Sequence, residues 1–192
     1  FTKTHFMKAY KLFASLAMAT ALLSSCKKDD LIIPNEEELI TTLNYTLVSQ
    51  STSDTVLLSF VDLDGPGGND PVITGGTLTP NTMYDGTIEV LNEQTLPAED
   101  ITEEVIEEAE EHQFFFLNAG GLDLIPSYTD TDADGNPLGV TTTISTNSNS
   151  SGQLTVILRH EPNKSASGVP QGEITNAGGE TDIEVVFDVD IQ

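Results

Sequence analysis

The chain has 192 residues, of which 31 are acidic and seven are basic, and its formal net charge is −24 at pH 7. Such a surface lacks the basic groups that replace counterions on phosphate, which makes nucleic acid and anionic lipid surfaces poor partners. Only one cysteine is present, so no disulfide can form within the chain. The fold must therefore depend on packing or on bound ions.

The N-terminal part of the chain has the pattern of a bacterial lipoprotein signal. Lys8 and Lys11 precede an apolar run over about residues 12–23, and small residues stand before the single cysteine, Cys26. The alternative, a transmembrane anchor, needs about 20 apolar residues, which is longer than this run. We expect residues 1–25 to be upstream residues and a signal peptide, and Cys26 to carry a covalent lipid.

The residues after Cys26 indicate where the protein is displayed. Two lysines and two aspartates follow directly, at 27–30, and this stretch resembles the export signal of Bacteroidota lipoproteins for the outer face of the outer membrane. The resemblance implies a lipid-anchored protein at the cell surface, with the periplasmic face as the alternative. Residues 26–37 are then an acidic tether that precedes one domain at 38–192.

From residue 38 onward, apolar and polar residues alternate between turn-forming residues, a pattern typical of strands. Strands are predicted over 38–49, 55–62, 70–78, 86–92, 112–118, 122–129, 138–146, 153–160 and 182–191. The last is the clearest, because its inward positions are all apolar: Ile183, Val185, Phe187, Val189 and Ile191. We predict an all-β fold, an immunoglobulin-like antiparallel β-sandwich.

One segment, at about 98–111, departs from the strand pattern. Ile101 and Val105 recur there at helical spacing, and Asp100 with Glu103 fits a capping pair. Glutamates crowd its C-terminal half, where the helix dipole disfavours negative charge, so the helix should depend on docking against the sandwich. We predict one short crossover helix; a cation-binding face is the alternative.

The region from Glu37 onward resembles a set of small lipoproteins predicted in flavobacterial genomes. The matching segments are 37–42, 62–65, 91–93, 97–102, 111–113 and 158–164. Such proteins often carry the label of a type 1 periplasmic binding fold, a two-lobed α/β architecture for which this chain has neither the length nor the alternating helices. The resemblance implies a surface lipoprotein and supplies no catalytic residues.

Two acidic loops are candidate calcium sites. The first has carboxylates at its first, third and fifth positions and a glycine at the sixth, which is the arrangement of a calcium loop, and its candidate ligands are Asp130, Asp132, Asp134 and Asn136. Thr141 stands where a bidentate glutamate is expected, so an ion would need further ligands. A hairpin turn on 134–136 is the alternative. The second candidate comprises Asp62, Asp64 and Asp70 around a glycine-rich stretch, with a solvated loop as the alternative.

The two histidines after the signal, His112 and His160, each lie at the edge of a predicted strand beside a glutamate, Glu111 and Glu161. If the two strands adjoin, the imidazoles and a carboxylate could form a transition-metal site. Lys164, one of the few cations of the domain, is expected to pair with an acid.

The chain contains no H-E-x-x-H, no G-x-S-x-G and no phosphate-binding loop, so we predict a protein that is not an enzyme. The first functional hypothesis is a surface binding or adhesion module for a protein or glycan ligand, with calcium-stabilised acidic loops. The second is a lipoprotein that captures a transition metal with His112 and His160. An ion-free structural partner of an outer-membrane complex is the third.

Overall fold

The computed structural model describes residues 38–65 and 67–192. The signal peptide, Cys26 and the tether lie outside the described residues. The elements are β1 (Thr42–Ser49), β2 (Thr55–Val61), β3 (Val72–Thr74), β4 (Gly76–Leu78), β5 (Met83–Asn92), β6 (Glu99–Asp100), α1 (Ile101–Glu107), β7 (His112–Ala119), β8 (Leu124–Tyr128), β9 (Thr141–Thr146), β10 (Ser150–His160) and β11 (Glu180–Ile191). Two 3₁₀ turns, Val169–Gln171 and Ile174–Asn176, lie between β10 and β11.

The strands form two sheets. The first has the order β3-β2-β1-β5-β9-β8, with β6 paired to β5, and the second has the order β4-β11-β10-β7. The predicted all-β class, the sandwich and its single short helix are confirmed, while the immunoglobulin likeness stays a prediction. Within residues 38–65 and 67–192, no helix is long and apolar enough to cross a membrane.

One pair of strands departs from the antiparallel arrangement, because β4 pairs with β11 in parallel. The predicted strand 70–78 is divided at Gly75 into β3, which joins the first sheet, and β4, which joins the second. A Cβ at Gly75 would lie 2.0 Å from the carbonyl oxygen of Asp188. Glycine therefore lets the chain pass against the β11 backbone and cross between sheets without reversing direction.

The core lies between the two sheets and is built from the inward positions of both. Tyr45 of β1, Phe114 of β7 and Phe187 of β11 are completely buried there. On β11 the inward residues are buried and the alternate positions after Ile183 are exposed, as the sequence predicts. A smaller apolar cluster lies on the opposite face of β7 and β10, where the segment 161–179 packs over Phe115 and Ile157.

The helix is shorter than the predicted span of about 98–111. Residues 99 and 100 pair with β5 as a short strand, and the Asp100 side chain caps the helix by accepting from the Thr102 N–H. The last turn contains no basic residue that would balance the helix dipole. Four glutamates at 107, 108, 110 and 111 crowd this end, so the helix ends at Glu107 and the chain turns into β7.

Candidate metal centre

The two histidines face each other at one end of the second sheet. His112 begins β7 and His160 ends β10, and these antiparallel strands pair them as direct partners. Side chains two residues apart in a strand point to the same face of the sheet. His112 therefore points inward like Phe114, and His160 points inward like Leu158. The centroids of the two imidazole rings are 4.8 Å apart, and His112 is completely buried.

A carboxylate from the third strand of this sheet completes the cluster. The register between β10 and β11 slips between Leu158 and Arg159, and Asp182 has no counterpart on β10. Such a bulge re-aims a side chain, and the Asp182 carboxylate is completely buried between the histidines. Its oxygens lie 3.8 Å from Nε2 of His112 and 3.7 Å from Nδ1 of His160.

The turn before β11 makes this approach possible. Gly178 and Gly179 both have positive φ, and a Cβ at Gly179 would lie 2.2 Å from the carbonyl oxygen of His160. Only glycine at 179 lets the turn pass this close to the end of β10. The turn thereby places the start of β11, with Asp182, beside His160.

The hydrogen bond of His112 identifies the tautomer of its ring. It therefore shows which ring nitrogen presents a lone pair to the Asp182 carboxylate. Its Nδ1 lies 3.2 Å from the backbone oxygen of Glu108, which can only accept, so Nδ1 carries the proton. Burial lowers the pKa of His112, so the ring is neutral near pH 7. The Nε2 lone pair therefore points toward Asp182, and Nε2 has no hydrogen-bond partner among the described residues.

Further carboxylates make the surroundings of this cluster strongly negative. The pKa of Glu38 is raised to about 7. The largest cause is burial, and the next is the charge and hydrogen bond of Glu104. The charges of Asp182 and Glu108 contribute less. Glu38 lies before β1, and Glu104 lies in α1, so two other parts of the chain bring acids to the same end of the sandwich. A divalent cation bound here would relieve this repulsion.

The donor atoms are close to the arrangement of a metal centre. One ligand atom from each of His112, His160 and Asp182 lies within 4.8 Å of the other two. Tetrahedral ligands with bonds of about 2.0–2.1 Å are about 3.3 Å apart, so each side chain needs to move by less than about 1 Å. The Nδ1–H of His112 bonded to a backbone carbonyl is the outer-shell contact that orients a histidine ligand.

A second group of donors adjoins the first. Glu111 and Glu161, both exposed, lie with His160 so that one ligand atom from each is within 4.8 Å of the others. These are the two glutamates that the sequence places beside the histidines. His160 is thus common to both groups of three donors that the described residues bring together.

The first acidic loop uses its carboxylates differently. Asp130 accepts from the backbone N–H groups of Gly139 and Thr141, each at 2.7 Å. Asp132, which is buried, accepts from the N–H groups of Asp134 and Asn136 at 3.0 and 2.8 Å. These contacts form a tight turn in the β8–β9 hairpin, as the hairpin alternative predicts.

The ammonium group of a lysine lies beside Asp132, at the position that a bound metal ion would otherwise take. The Lys164 ammonium lies 3.0 Å from Oδ2 of Asp132 and also donates to the backbone oxygens of Ala109 and Pro137. Burial opposes ionisation of Asp132, but hydrogen bonds from Asn136 and Lys164 lower its pKa overall. The expected pairing of Lys164 with an acid is confirmed, and calcium binding at this loop stays a prediction.

The second acidic loop is open to solvent. Asp62 accepts from the N–H of Gly65 at 3.0 Å, and Asp64 accepts from the N–H and the side-chain amide of Asn69. Asp64 and Asp70 are exposed. Among the described residues, neither group of converging metal-ligand atoms includes a carboxylate from this loop or from 130–136. Calcium binding by Asp62, Asp64 and Asp70 also stays a prediction.

Comparison with models of known protein families, with curated proteins and with solved structures found no match to this chain. The chemistry of the centre is therefore deduced from its own geometry. The sequence identified both histidines but not Asp182, because strict alternation from Ile183 assigns position 182 to the outer face. A bulge leaves no mark in the period-two pattern.

Proposed function

We propose that this protein is a cell-envelope lipoprotein that captures a divalent transition-metal ion with His112, His160 and Asp182. The observation that carries the proposal is the buried Nε2 of His112, whose lone pair faces the Asp182 carboxylate at 3.8 Å. A lone pair and a carboxylate repel each other unless an electrophile lies between them. A metal ion coordinated by both converts this unfavourable contact into two bonds.

The donor set favours a transition metal over calcium. Two imidazoles with one carboxylate suit zinc, copper, iron or nickel, whereas calcium takes six to eight oxygen ligands. Structural zinc sites usually have four protein ligands, and three leave a position open for water or for a ligand from another molecule. An ion with an open position can be exchanged, which supports capture and transfer. The lipid on Cys26 would keep this activity at the outer membrane.

Zinc binding by the purified full chain in detergent tests the proposal. Isothermal titration after chelator treatment should give one tightly bound Zn²⁺ per chain. Asp182→Asn and His112→Ala should each weaken binding by more than about a hundredfold, since losing even an outer-shell contact costs about 10–100-fold. The matched control is Asp188→Asn, which removes an exposed carboxylate from the same strand.

Circular dichroism checks that each variant is folded before titration. Wild-type affinity in folded Asp182→Asn would contradict the proposal, and so would the absence of zinc binding by the wild-type chain when copper is also without effect.

A further inference from the structure

Two exposed glutamates are held at the solvent side of the buried centre. Glu111 directly precedes His112, and Glu161 directly follows His160. The N–H of Glu161 donates to the backbone oxygen of Glu111 at 2.6 Å, so the chain segments that carry both acids are joined where β7 and β10 end. The pairing that brings the histidines together therefore also brings their acidic neighbours together.

His160 belongs to both groups of donors. In the outer group, a ring nitrogen of His160 lies within 4.8 Å of a carboxylate oxygen of Glu111 and of one of Glu161. In the inner group, a ring nitrogen of His160 lies within 4.8 Å of donor atoms of His112 and Asp182. The outer group contains exposed acids, while the side chains of His112 and Asp182 are completely buried. A single imidazole thus links a surface group to an interior group.

We infer that Glu111 and Glu161, together with His160, form an outer capture site, from which a divalent transition-metal ion passes to the buried centre, where His160 is also a ligand. The transfer is a ligand exchange. The ion gives up two glutamate oxygens and gains Nε2 of His112 and an oxygen of Asp182. The oxidation state of the metal does not change, and no group other than the metal ion is transferred. This inference rests on the proposed function.

The arrangement addresses the cost of dehydrating the ion. A divalent cation that enters a buried site directly must lose its water before the protein donors replace it. Two carboxylates and a histidine at the surface replace part of the hydration shell while the ion is still in contact with solvent. Exposed acids also raise the local concentration of cations and the rate of their encounter, an effect that salt screens.

Zinc loading measured by stopped flow with a chromophoric chelator as the competing ligand tests this inference. The full chain in detergent is compared with the double variant Glu111→Gln/Glu161→Gln. The control, Glu184→Gln/Asp188→Asn, removes two exposed negative charges from β11. Loading of the Glu111/Glu161 variant should be slower by about tenfold, the lower end of the range for electrostatic steering. Release should slow by a similar factor, and the control should load as the wild type does.

Loading of the Glu111/Glu161 variant at the rate of the control would overturn the inference and leave the proposed function intact. A loss of zinc affinity as large as that of His112→Ala would also overturn it, because the two glutamates would then be ligands of the buried centre itself. Failure of the wild-type chain to bind zinc or copper at all contradicts the proposed function instead.

Discussion

The loop 130–136 and the buried histidine centre both hold carboxylates below the surface, but different polar groups lie beside these carboxylates. Asp132 is paired with the Lys164 ammonium and with backbone N–H groups. At the centre, Asp182 lies beside a neutral His112 whose Nε2 has no hydrogen-bond partner among the described residues. The loop with the recognisable calcium motif carries its own cation, whereas the cluster without a motif presents donor atoms to one.

This difference shows that the partners of buried polar atoms indicate a metal site more reliably than the spacing of acidic residues in the sequence does. Carboxylates at alternate positions suit a calcium ion and also suit a hairpin whose N–H groups need acceptors. A buried nitrogen without a hydrogen-bond partner has few explanations, since burying such an atom costs free energy. Four experiments test whether the two regions differ in this way.

Removal of the lysine gives the largest expected change in stability. Lys164→Met leaves Asp132 buried without its ammonium partner, and breaking a buried ion pair costs about 3–5 kcal/mol. Urea unfolding measures the free energy of unfolding. The double variant Asp132→Asn/Lys164→Met should lose less free energy of unfolding than Lys164→Met, because no unpaired buried charge remains. A loss below about 1 kcal/mol for Lys164→Met, the value of an exposed ion pair, would contradict the view that the loop carries its own cation.

Metal ions should stabilise the two regions unequally. Free Zn²⁺ at about 100 times its dissociation constant should raise the free energy of unfolding by about 2.7 kcal/mol, and His160→Ala should abolish the rise. Calcium should have little effect, since the carboxylates of Asp130 and Asp132 already have donors. Thermal unfolding after chelator treatment measures both. A calcium-specific rise that Asp130→Ala/Asp132→Ala removes would reverse the comparison and support the calcium hypothesis.

The glycine turn before β11 offers a matched pair of substitutions. Gly178→Ala places a side chain at positive φ in open space, which costs about 1–2 kcal/mol. Gly179→Ala adds a clash with the carbonyl oxygen of His160, so its cost should be larger by about 1–3 kcal/mol. Zinc affinity should fall for Gly179→Ala alone, because this turn positions Asp182. Equal zinc affinity in the two folded variants would show that the turn does not set the centre.

The smallest effect is a pH-dependent one at Glu38. Its pKa is raised from 4.5 to about 7 in the folded chain, so the folded chain holds this proton over a pH range where the unfolded chain has lost it. The contribution of Glu38 to stability therefore decreases as pH rises from about 4.5 to about 7. In metal-free protein, Glu38→Gln should raise the melting temperature at pH 8 and change it little at pH 4.5. An equal change at both pH values would contradict the crowding of acids around the centre.

Much of the fold follows from local pattern. Alternation predicted the long strands, because each buries one face and is punctuated by turn residues. It did not predict the division of strand 70–78, since a single close approach at Gly75 decides which sheet each half joins. Nor did it give the ends of α1, where pairing of Glu99–Asp100 with β5 competes with the helix.

The site was predictable only in part. His112 and His160 stand out as the histidines of the domain, and alternation with Phe114 and Leu158 orients both inward. Their meeting depends on the pairing of β7 with β10, a contact between segments far apart in the chain that no local pattern encodes. Asp182 depends on a slip of register, which reverses the face that alternation assigns to it.

X-ray absorption at the zinc edge of the zinc-loaded full chain tests the central claim most directly. The account predicts a first shell containing two imidazole nitrogens and carboxylate oxygen at about 2.0–2.2 Å, with the imidazole scattering reduced in His112→Ala. A shell of oxygen atoms alone, unchanged in His112→Ala, would place the ion on the acidic loops and contradict the assignment of His112, His160 and Asp182.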